Sequence, residues 1–128
     1  MGTGPVMFVA ERPSTGHFPS PADRFLYGRL EKYGAADSHL TDLIKSRGRV
    51  HDPYPDDIAR HRRVFDREMA IVQPRPIIAF GQKVYDLLQF RLAESGIEIR
   101  QVWHYSVARW GTEKQSIIDA QIRKALKS

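Results

Sequence analysis

Three short polar segments of this 128-residue chain hold the residue types that can do chemistry. The first, Ala10-Glu11-Arg12-Pro13-Ser14-Thr15-Gly16-His17-Phe18, offers one carboxylate, one aromatic ring and several backbone N–H groups. A carboxylate at that point can hold or polarise a water; the competing reading of Glu11 is a solvated loop acid. Phe18 presents a flat apolar face suited to a ring or base, or else plugs the core beneath its loop. The second segment, Thr41 to Arg49, sets Asp42 in an otherwise apolar run, where acids are poor strand formers. Lys45, Arg47 and Arg49 follow around Gly48. These cations suit phosphates, with the glycine letting the backbone approach, and read equally as an ordinary basic loop. The third segment, Trp103 to Gly111, holds His104, which can donate a hydrogen bond to a developing anion. Tyr105 and Trp110 beside it can stack or wedge, although a lone histidine is often purely structural.

The elements that must position these segments follow from apolar periodicity. Pro5 to Ala10 reads as a buried strand running into the first polar loop. Ser20-Pro21-Ala22-Asp23 supplies a cap, a first-turn proline and an early acid, and Leu26, Leu30 and Tyr33 continue a helix that ends near Gly34. Ser38 to Lys45 reads as a second strand, with Ser46 to Pro53 a loop. From Pro55 the acids Asp56 and Asp57 suit a helix N-terminus, and Ile58, His61, Phe65, Met69 and Val72 share one face up to Pro74. Pro76 to Phe80 is the most strand-like run; Gly81 turns it into a helix with Val84, Leu87, Leu88 and Leu92, closed by Gly96. Ile97 to Trp103 is a fourth strand, and Thr112 with Gln115 reads as a capping box ahead of Ile118, Ile122, Ala125 and Leu126. The order βαβαβαβα predicts a compact three-layer α/β/α domain over 1–128, with a four-stranded, mostly parallel sheet. In such sheets ligands bind beyond the carboxyl ends of the strands, which points to the loops after strands one, two and four.

Composition narrows the classes. Lys and Arg number 20 against 15 Asp and Glu, a net +5 that tilts partners toward polyanions. With no cysteine, a disulfide scaffold, a thiol nucleophile, a thiolate-held zinc and an iron–sulfur cluster are all excluded. His17, His39, His51, His61 and His104 show no metal-ligand spacing, so neither metal nor cofactor is expected. No apolar stretch approaches the ~20 residues of a membrane helix and no secretory leader is visible, so a cytoplasmic monomer without membrane contact is expected.

Taken together, the segments resemble the uracil-DNA glycosylase superfamily, closest to its compact family 4 and family 5 branches. The resemblance runs from about residue 5 to residue 110. Ala10 to Ser14 is similar to the family's GEAPG motif, with Glu11 and Pro13 in register. Thr15 to Ala22 resembles TGRPFVGxAG and sets Phe18 on the aromatic that stacks against an extruded base. Leu40 to Arg47 resembles TNVVKCRP, with Asp42 at the Asn that reads the base edge. Gln73 to Gly81 resembles the strand xPKVIVALG, and His104 to Arg109 resembles HPSxLLR. The resemblance implies a DNA glycosylase of base excision repair acting on single- or double-stranded DNA with a damaged base. It implies that Glu11, Asp42 and His104 are catalytic, and that Phe18, Asp42 and His104 bind the base. Lys45, Arg47, Arg49, Ser106, Val107 and Arg109 are then the DNA contacts.

Departures from the family pattern are specific. Ser46 stands at a cluster-cysteine position and His61 near another, so the family 4 cluster has no ligands here. Arg12 replaces a small residue, Tyr105 a proline, and Val107 the usual wedge leucine. Asp42 replaces an amide that both donates and accepts, whereas an ionised carboxylate only accepts and repels uracil O4. The alternative expectation is therefore a noncatalytic nucleic-acid- or nucleotide-binding member of the same fold.

Overall fold

The computed structural model describes residues 6–11, 21–44, 56–105 and 111–127. The elements are β1 (Met7–Ala10), α1 (Pro21–Lys32), β2 (His39–Asp42), α2 (Ile58–Val72), β3 (Ile77–Phe80), α3 (Gln82–Arg91), β4 (Ile99–Val102) and α4 (Thr112–Ala125). All three strand pairings are parallel and the sheet order is β2-β1-β3-β4. The central strands β1 and β3 are buried throughout, which is why Met7-Phe8-Val9-Ala10 and Ile77-Ile78-Ala79-Phe80 are unbroken apolar runs. The edge strand β2 carries His39, Thr41 and Asp42 because only one of its flanks is paired.

Alternation along the strands divides the core into two layers. Phe8, Ala10, Ile78, Phe80 and Val102 face Leu26 and Leu30 of α1 and Ile118 and Ile122 of α4. Met7, Val9, Ile77 and Ala79 face Phe65 of α2 and Val84 and Leu88 of α3. The molecule is thus α/β with helices on both sides of a four-stranded parallel sheet. Polar ties reinforce both layers. Asp119 of α4 accepts hydrogen bonds from Arg29 at 3.2 Å and Tyr33 at 2.7 Å, anchoring α1 to α4. Glu68 of α2 meets His39 at 2.8 Å and accepts from the Thr41 hydroxyl at 2.6 Å, anchoring α2 to the edge strand.

Two sequence expectations are corrected. The strands are shorter: β2 stops at Asp42 because β1 offers only four partners, although the Leu43 and Ile44 amides still bond to the Ala10 and Glu11 carbonyls. Helix α4 takes Gly111, not Thr112, as its N-cap. Gly111 sits at φ 126°, a backbone that favours glycine, and Thr112 is the first helical residue, so the capping box does not form. The expectation of acids at the start of α2 holds: Asp57 is its N-cap, and its carboxylate meets the His61 ring at 3.2 Å.

Candidate functional site

The order β2-β1-β3-β4 brings the ends of all four strands to one edge of the sheet, and β1 and β3, whose connections run outward in opposite directions, leave a crevice between them. Glu11 follows β1, Asp42 ends β2 and His104 follows β4, so all three described candidates lie along this edge. They divide between its two faces.

Asp42 pairs in register with Ala10, which turns its side chain toward the α1–α4 layer. There it joins Asp23 and Tyr27 from the first turns of α1, and Tyr105 from beyond β4. The Tyr105 hydroxyl donates to the Asp23 carboxylate. Burial first, then the negative charges of Asp23 and Asp42, push the Tyr105 phenol well above its ordinary range. Tyr27 is raised by the same causes in the same order, burial, Asp23 and Asp42. His104 stacks on Tyr105 at 4.5 Å between ring centroids. Both rings rest edge-on against Phe80, at 5.8 and 5.0 Å, and Phe80 stacks on Phe8 in the core. The chain leading into His104 is fixed by the Trp103 amide donating to Gln121 of α4 at 2.6 Å. Asp42, Asp23, Tyr27, Tyr105 and His104 thus form one acidic, aromatic surface with a rigid floor.

Glu11 lies on the other face. Its carboxylate is only 12% exposed and pairs with the Lys83 ammonium at 2.5 Å, so the solvated reading of this acid fails. Lys83 reaches it because Gly81, at φ 89° with its amide bonded to the Val102 carbonyl at 2.8 Å, turns β3 directly into α3. Beside the pair opens a cleft of about 290 Å³ lined by Glu11, Leu43, Ile44, Ile58, Leu87 and two arginines, Arg62 and Arg91.

Phe18, Lys45, Arg47, Arg49, Ser106, Val107 and Arg109 lie outside the described residues, as do Arg12 and Trp110. Sequence reasoning missed Lys83, having looked to the loops after strands one, two and four. The Gly81 turn after the most strand-like run was the signal for it. Asp23 was read only as a helix-terminus acid; its four-residue spacing from Tyr27 was the sign that both face one neighbour.

The chain matches no protein-family model and no curated protein. Among the described residues no cluster of three or more His, Asp or Glu could hold a metal ion, and no helix is long and apolar enough to cross a membrane.

Proposed function

We propose that this chain is a DNA glycosylase-like member of the uracil-DNA glycosylase superfamily, which extrudes a damaged or deaminated base and hydrolyses its N-glycosidic bond. The observation that carries the proposal is the shared face of Asp42 and His104, joined through Tyr105 on the Phe80 floor. An extruded base stacks on Phe18, and its edge donates to Asp42. Because an ionised carboxylate only accepts hydrogen bonds, Asp42 favours a base edge rich in N–H donors over the O4 of uracil. As the glycosidic bond breaks, the sugar gains oxocarbenium character and the bonding pair leaves with the base. His104 donates a hydrogen bond to the oxygen where that charge collects. Water adds to the sugar carbon and yields its proton to a carboxylate. Glu11, the first candidate from the sequence, is paired with Lys83 on the opposite face, so Asp42, on the face of His104, is the nearer candidate for that step. Lys45, Arg47, Arg49 and Arg109 hold phosphates, and Ser106 and Val107 border the gap in the duplex. The protein then works without a cofactor, as a cytoplasmic monomer on DNA. The test is abasic-site formation by the native chain on oligonucleotides with defined lesions, with Glu11→Ala and Asp42→Ala separating the two carboxylates.

One observation favours a second reading, a noncatalytic binder of nucleic acid or nucleotides. Glu11 is engaged by Lys83 on the face away from His104, an arrangement suited to holding the turn rather than a water. Salt-sensitive DNA binding by the native chain without cleavage of any lesion would favour it.

A further inference from the structure

The cleft between the start of α2 and α3 has a charge balance that selects its occupant. Its floor is Leu43 and Ile44, both buried, and its mouth is flanked by Ile58 and Leu87, each 38% exposed. Large apolar side chains left open on both lips of a concave site are the usual lining of a small-molecule pocket, and about 290 Å³ lies at the small end of that range. Among the described residues, three charged side chains line it. Glu11 is matched by Lys83 at 2.5 Å. Arg91 is matched by Asp66 at 2.9 Å, its guanidinium also lying over the Phe65 ring at 5.4 Å. Arg62 makes no ion pair among the described residues and stands close enough to Arg91 for the two cations to repel. Among the described residues the site therefore has an apolar interior and one uncompensated guanidinium, a fork suited to a carboxylate or sulfonate.

We infer that this cleft binds a small amphipathic anion, its apolar body between Ile58 and Leu87 and its charged group on Arg62. The site lies on the face of the sheet opposite Asp42 and His104 and does not depend on the glycosylase proposal.

The probe is anilinonaphthalene sulfonate, an apolar ring system with a single negative charge, titrated by fluorescence against the native full chain. Saturable binding at one site is expected. Arg62→Gln, an exposed and conservative change, is expected to weaken it about tenfold, the effect of losing one charge-assisted hydrogen bond. Ala59→Trp, at an exposed position lining the cleft, is expected to abolish it, while Phe90→Ala, at an 85% exposed ring outside the cleft, leaves it unchanged. Absence of binding in the native chain overturns the proposal, as does equal affinity in all three variants. Loss in Ala59→Trp without any in Arg62→Gln overturns the anion assignment, and loss in Arg62→Gln alone overturns the cleft as the place of binding.

Discussion

The His104 ring lies on Tyr105 at 4.5 Å with planes only 20° apart, and the Tyr105 hydroxyl is in turn held by Asp23. A histidine proposed to meet a leaving group thus sits on a half-buried phenol held by a carboxylate of α1. Phe80, stacked on Phe8 in the core, supports both rings edge-on.

Tyr105 makes stability sensitive to alkali. Its folded-state pKa lies above the unfolded value near 10, so its contribution is complete below that pH and is lost as pH rises toward the folded value. Denaturant melts from about pH 9 to about pH 11 should show a falling midpoint that Tyr105→Phe flattens. An equal fall in both proteins would remove Tyr105 as the cause.

Asp42→Asn has two expected effects. Removing the carboxylate charge lowers the pKa of both Tyr105 and Tyr27, read as earlier tyrosinate absorbance in an alkaline titration. On the proposed function the amide also accommodates uracil O4, so cleavage of uracil-containing DNA increases. A titration shift without any gain on uracil would leave Asp42 beside the tyrosines but away from the base.

Lys83→Met should cost about 1–3 kcal/mol, because it leaves the mostly buried Glu11 carboxylate without its cation. Adding Glu11→Gln should recover much of that loss, giving a coupling of about 1 kcal/mol in a double-mutant cycle. Additive losses would show that the pair contributes nothing to stability.

Reversing the charges of Arg47 and Arg49 should flatten the salt dependence of DNA binding, each phosphate contact contributing about 0.9 to the logarithmic slope on duplex DNA. An unchanged slope returns both residues to an ordinary solvated loop.

The element order is legible in the chain because the buried central strands are pure apolar runs and the helices carry one apolar stripe. Asp42 is legible too: an acid at a strand end is unusual, and here it ends an edge strand facing two tyrosines. Strand pairing is not written in local pattern. The β1–β2 register pairs Asp42 with Ala10, so Glu11, one residue further along β1, turns to the opposite face, and that register is set only when the two strands meet. Lys83 was hidden for the same reason, since its partner is 72 residues earlier and is met only through the β1–β3 pairing. The Thr112 and Gln115 pattern misled because Gly111, free to adopt φ 126°, takes the N-cap position and makes Thr112 the first helical residue.

The most direct measurement incubates purified protein with labelled oligonucleotides carrying uracil, hypoxanthine, xanthine or a mismatch, followed by alkali to cut abasic sites. Cleavage at one base by the native chain, abolished in a folded His104→Ala variant that still binds DNA, is the predicted result. No cleavage across the panel, with DNA binding intact in a parallel shift assay, would contradict glycosylase action.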